Sequence, residues 1–141
     1  MGQKHSCDHI GIFSNRSKRL VDFYTKSLGF RKEKEEILPE IIVKKIFGIS
    51  HNCKFIKLTS RHMKIEIFEP IDARMGKGLN DITGYNHWGY CVRDRKKFAQ
   101  NLKKKGLNIM EIKRDSHTVY FITDPDGNRI EIRDSKKIKK Q

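Results

Sequence analysis

A chain of 141 residues with 36% hydrophobic and 34% charged residues is long enough to bury one core without disulfide or metal staples. Its regularly spaced aliphatic and aromatic residues exclude a disordered segment. The net charge of +14 points to an anionic partner; because the Lys and Arg are scattered, dense only at Arg95 to Lys105 and in the tail, with no nucleic-acid motif beside them, a small anionic substrate is favoured over nucleic acid.

The elements follow in chain order. Asp8 to Ser14 alternates His9, Gly11 and Phe13 against Ile10 and Ile12, the period of a strand. From Ser17 to Ser27 the positions Leu20, Phe23, Tyr24 and Leu28 fall at helical spacing, with Ser17 as the expected cap and Leu28-Gly29-Phe30 as the stop. Two or three strands follow, around Arg31 to Ile37, Cys53 to Thr59 and Met63 to Phe68, with Glu66 between Ile65 and Ile67, and Pro70 closes the half. Ile71 to Tyr85, holding Gly76, Gly78 and Gly84, reads as a linker.

The second half repeats the plan. Asn86 to Val92 carries His87 and Gly89 in the same His-x-Gly arrangement as His9 and Gly11. A basic helix from Arg95 to Lys105 turns Phe98, Ala99 and Leu102 inward and stops at Gly106-Leu107, one residue short of the first half. Strands near Asn108 to Lys113, His117 to Thr123 and Asn128 to Arg133 follow, the last two joined by an Asp124-Pro125-Asp126-Gly127 turn. Ile130-Glu131-Ile132 duplicates Ile65-Glu66-Ile67. One domain, 1–141, is therefore expected, with a first module about 7–70, a linker 71–85, a second module about 86–134 and a basic tail 135–141.

No apolar run approaches the ~18 residues a membrane span needs, and Met1 to Ser6 has no signal-peptide core, so a cytosolic protein is expected. Cys7, Cys53 and Cys91 form no C-x-x-C pair and are read as three reduced thiols, with Cys91 on the face of His87 but inert and buried.

A single His at a strand start is most often a surface residue, and a Glu between two isoleucines is most often the solvent side of a strand. That account does not explain why the same pair recurs at matching places in both halves. If the flanking residues Ile10 and Ile12, Ile65 and Ile67, Trp88 and Tyr90, and Ile130 and Ile132 cover the helices, then His9, Glu66, His87 and Glu131 turn to the other face. Two imidazoles and two carboxylates suit one divalent ion, nickel, zinc, cobalt, manganese or ferrous iron, with positions left for two adjacent oxygens of a substrate. Such a site favours proton transfer beside a carbonyl, with Glu131 or Glu66 as base. His5, His51, His62 and His117 have no duplicate and receive no role.

His9-Ile10-Gly11, the helix end Asp22 to Phe30, the strand Lys64 to Pro70, Asn86-His87-Trp88-Gly89 and Thr123 to Ile132 resemble the vicinal oxygen chelate superfamily of glyoxalases, bleomycin-resistance proteins and extradiol dioxygenases. The resemblance implies an α+β fold of two βαβββ modules, a half-barrel of mixed sheet around a concave metal site with helices outside, and in short members a homodimer. The His, Glu, His, Glu set resembles bacterial glyoxalase I, a lactoylglutathione lyase, which implies His9, Glu66, His87 and Glu131 as ligands. Glu66 argues against the His, His, Glu set of dioxygenases, and the strand ending Ile67 to Pro70 also resembles methylmalonyl-CoA epimerase. The segment Glu40 to His51 is unlike either enzyme. The expected function is a metal-dependent lyase or isomerase of a small oxygenated substrate. The alternative is a metal-free small-molecule or drug-binding protein of the bleomycin-resistance type.

Overall fold

A computed structural model describes residues 7–76 and 85–135. His5, the glycines Gly78 and Gly84 of the linker, and the basic tail beyond Ser135 lie outside the described residues. The chain divides into two compact units, Met1–Gly78 and Leu79–Gln141.

In the first unit β1 (His9–Phe13), α1 (Ser17–Leu28), β2 (Arg31–Leu38), α2 (Glu40–Phe47), β3 (Cys53–Thr59) and β4 (Lys64–Pro70) follow one another. The strands form an open four-stranded sheet in the order β1-β4-β3-β2. β1 and β4 run parallel, with Ile10 opposite Ile65 and Gly11 opposite Glu66, and the other pairs are antiparallel. The second unit repeats this with β5 (His87–Val92), α3 (Arg95–Lys104), β6 (Ile109–Lys113), β7 (Thr118–Thr123) and β8 (Arg129–Asp134) in the order β5-β8-β7-β6. β5 and β8 are parallel, with Gly89 opposite Glu131. The expected α+β architecture of mixed sheets and outer helices is what the chain adopts.

Period two explains which face is covered. Ile65, Ile67, Ile130 and Ile132 are buried, as are Leu20, Tyr24 and Leu28 of α1 and Ala99 and Leu102 of α3. Those helices pack on their own sheets, and each fully buried aliphatic side chain contributes roughly 1.5–3 kcal/mol. Tyr90 stacks toward Phe98 of α3 at 6.2 Å. The Glu of each Ile-Glu-Ile triplet is thereby turned to the opposite face.

Among the described residues α2 has no counterpart in the second unit, and no element is assigned to 40–51 from sequence. It begins after Pro39, where the Glu40 amide donates to Asn52 Oδ1 at 2.7 Å, and stops at Gly48, whose φ of 73° suits glycine. Its Phe47 ring packs edge-on at 4.8 Å against both Phe13 and Phe68, on the His9 and Glu66 face. Phe55 extends the cluster to Phe68 at 5.3 Å.

The start of α1 corrects the expected Ser17 cap. Ser17 is the first helical residue, buried, and its amide and hydroxyl both donate to the Glu69 carboxylate of β4, at 3.3 and 2.9 Å. A carboxylate there satisfies free amides and complements the helix dipole. Asp134, three residues after Glu131 as Glu69 is after Glu66, accepts from the Arg95 amide at 2.8 Å, beside Asp94, which caps Lys97 at 3.0 Å. The duplication therefore includes the acid that seats each helix. Glu69→Ala is expected to lower unfolding free energy by about 1 kcal/mol or more in a urea titration; an unchanged midpoint would contradict the cap.

The linker begins as a pinned segment. The Asn15 side chain donates to Met75 O at 2.7 Å and accepts from Met75 N at 2.8 Å. Among the described residues no helix is long and apolar enough to cross a membrane.

Candidate metal centre

Each unit brings one histidine to one glutamate. His9 Nε2 lies 2.8 Å from Glu66 Oε2, and His87 Nε2 lies 3.5 Å from Glu131 Oε2. The strand register dictates this: in each parallel pair a glycine stands opposite the Glu, and the His two residues earlier reaches it diagonally. A Cβ on Gly11 would meet Phe68 at 3.6 Å and one on Gly89 would meet Arg133 at 4.0 Å, both ordinary contacts, so the glycines keep the floor beside each carboxylate low without relieving strain.

The other imidazole nitrogen is held in the same way in both units. His9 Nδ1 is 2.8 Å from Asp8 Oδ2, and His87 Nδ1 is 2.8 Å from Asn86 Oδ1. Nε2 is thereby the nitrogen presented to the glutamate, the arrangement by which outer groups orient metal-ligating histidines. The signal was legible as an Asx residue directly before each His-x-Gly, and sequence reasoning missed it. The hydrogen bond with His9, aided by Lys64, holds the Asp8 carboxyl below its ordinary value.

The separation within each pair is compatible with two ligands of one divalent ion as well as with a hydrogen bond. With metal–nitrogen and metal–oxygen bonds near 2.0–2.2 Å, two ligands of one ion lie about 2.9 Å apart at a right angle and about 3.4 Å apart at the tetrahedral angle. The observed separations of 2.8 and 3.5 Å bracket those values. Within either unit, among the described residues, no third His, Cys, Asp or Glu joins a pair in a cluster that can hold an ion. Each pair is half of the expected ligand set.

The surroundings of the two glutamates differ. Glu131 Oε1 also accepts from Arg133 Nη1 at 3.3 Å, whereas the position matching Arg133 in the first unit is Phe68, part of the aromatic cluster. Cys91 is exposed on the His87 face, which corrects the expectation of a buried thiol; a strand whose outer face is uncovered leaves every second residue open. Cys53 is the buried one, and burial raises its thiol above the ordinary value. His117 is exposed and lies 2.9 Å from the Ser116 hydroxyl.

Against known proteins, residues 6–132 match the family model of the Glyoxalase/Bleomycin resistance protein/Dioxygenase superfamily, and the chain belongs to that family. A lactoylglutathione lyase of Arabidopsis thaliana is 25% identical over 122 residues, 81% of this chain and 38% of that protein. The chain thus spans well under half the length of this relative. In three dimensions it resembles a glyoxalase family protein of Bacillus cereus, with a TM-score of 0.69 at 16% identity over 93% of this chain and 94% of the other. It also resembles the trypanothione-dependent glyoxalase I of Leishmania major, with a TM-score of 0.64 at 20% identity over 93% and 87%. At such identities the likeness is one of fold.

Proposed function

We propose that the chain is a metal-dependent lyase or isomerase of the glyoxalase family, moving a proton next to a carbonyl of a small, anionic, oxygenated substrate. The observation that carries this reading is the duplicated pair: a His Nε2 within 2.8 or 3.5 Å of a Glu carboxylate, with Nδ1 held by an Asx side chain in each unit. His9, Glu66, His87 and Glu131 are the proposed ligands of one divalent ion, nickel, zinc, cobalt, manganese or ferrous iron, in a cytosolic homodimer.

The ion would polarise the substrate carbonyl and lower the acidity barrier of the neighbouring C–H. Glu66 or Glu131 takes that proton and returns it to the adjacent carbon. Asp8 and Asn86 hold His9 and His87 in the ring orientation and protonation the site needs. The net charge of +14 draws anionic substrates toward the protein.

The test is turnover in deuterium oxide by protein loaded with each candidate metal. The hemithioacetal of methylglyoxal with glutathione and a 2-methyl-branched acyl-CoA are the two substrates. Metal-dependent isomerisation with solvent deuterium in the product supports the reading. Absence of isomerisation and exchange with every metal and both substrates leaves the metal-free small-molecule binder as the better account.

A further inference from the structure

The face of the second unit that carries His87 and Glu131 also holds a cleft of about 450 Å³, within the range of roughly 300–1,000 Å³ typical of small-molecule sites. One side is apolar. Met110 and Ile112 of β6 line it while 53% and 39% exposed, and Phe121 of β7 joins them. The other side is polar, formed by Asn86, Asn108 and Arg129. Among the described residues no helix corresponding to α2 lies between β6 and β7, because β6 returns to β7 through a short turn closed by the Arg114 amide donating to His117 O at 2.8 Å.

Arg129 gives the cleft its chemical sense. Its strand neighbours in register are His87 on β5 and Thr123 on β7, neither an acid. The nearby acid of its own face, Glu131, is already engaged by His87 at 3.5 Å and Arg133 at 3.3 Å. Among the described residues Arg129 has no ion-pair partner, a state it shares with most arginines of this basic chain, and it is the arginine that lines the cleft. A guanidinium without a partner, beside two side-chain amides and against an apolar wall, is matched by a carboxylate that bears an apolar group. Phe121, which lines the cleft, has its ring 5.1 Å from the His87 ring, so this wall of the cleft adjoins the histidine of the His87–Glu131 pair.

We infer that this cleft binds an aryl- or alkyl-bearing carboxylate, with its anionic end on Arg129 and its apolar group against Met110, Ile112 and Phe121. Resting on the function proposed above, this places the apolar substituent of the substrate beside the His87–Glu131 pair.

The experiment uses chelator-treated full-length protein, so that its outcome is separate from metal binding. Affinities for 4-phenylbutyrate and its neutral amide are measured by titration calorimetry at low salt, with the parent, Arg129→Met and the double variant Met110→Ser, Ile112→Ser. The parent is expected to bind the acid about fivefold more tightly than the amide, the scale of an exposed ion pair. Arg129→Met loses that preference while still binding the amide, and the double variant weakens both ligands. Circular dichroism confirms folding, which substitutions at these exposed positions leave intact. Equal affinity for acid and amide, a preference that survives Arg129→Met, or no binding of either ligand overturns the inference. A chain that takes up metal yet gives one of those results overturns this inference alone, and one that shows the preference but takes up no metal overturns only the proposed function.

Discussion

Glutamine at position 66 or 131 is expected to reduce kcat by about 10²–10⁴-fold in at least one of the two variants, the usual contribution of a positioned proton-transfer group. The substitution keeps the shape of the side chain and removes its basicity and its charge. Neither carboxylate supports the core: both sit on the face away from α1 and α3, and their partners are His9, His87 and Arg133 rather than a helix end. Loss of such partly exposed ion pairs costs about 1 kcal/mol or less, so the unfolding midpoint stays close to that of the parent. The base is the glutamate whose variant retains metal and loses turnover; a variant that loses both identifies a ligand. Parent-like turnover in both variants would remove the two glutamates from the chemistry.

The second large effect concerns the fold. Leu20 has 0% exposure, on the helix that packs over β2, β3 and β4, where Leu58, Ile65 and Ile67 are also at 0%. Leu20→Ala is expected to cost about 2–5 kcal/mol, the lost transfer energy plus the cavity left behind. That is a large share of the roughly 5–15 kcal/mol of a typical domain, so the urea midpoint falls steeply. Leu20→Met, which nearly conserves volume, is expected to cost under about 1.5 kcal/mol. Similar midpoints for Leu20→Ala and the parent would mean that α1 does not hold the first sheet together.

Much of this architecture was legible because duplication writes the same signal twice. His-x-Gly and Ile-Glu-Ile mark the outer and inner strands of each parallel pair, and period two then turns the His and Glu to one face. What escaped was whatever depends on contacts distant in sequence. Glu69 seats α1 across 52 residues, and the Ser17 cap rule gave the wrong role to the right residue. α2 was hidden because Ile41, Ile42 and Val43 are β-branched and weak helix formers. Its bounds, Pro39 and Gly48, were in plain view, but the contacts that seat the segment, burial of Val43 and packing of Phe47 on Phe13 and Phe68, come from elements distant in sequence. The cleft at Arg129 was invisible for the same reason, since its walls come from β6, β7 and β8 together.

The asymmetry between the units has a chemical consequence. In the first, aromatic rings crowd the Glu66 face; in the second, that face keeps an open cleft beside His87. A substrate would therefore meet the two glutamates in different surroundings: aromatic rings share the face of Glu66, and Glu131 pairs with Arg133.

The most direct measurement is the metal-to-chain ratio of protein purified without chelator and then offered nickel, zinc, cobalt or manganese, compared between the parent and the double variant His87→Ala, Glu131→Ala. The duplicated His–Glu pairs predict about one divalent ion per parent chain and little in the variant. No ion in either protein, with any of the four metals, would contradict the metal centre and with it the proposed isomerase.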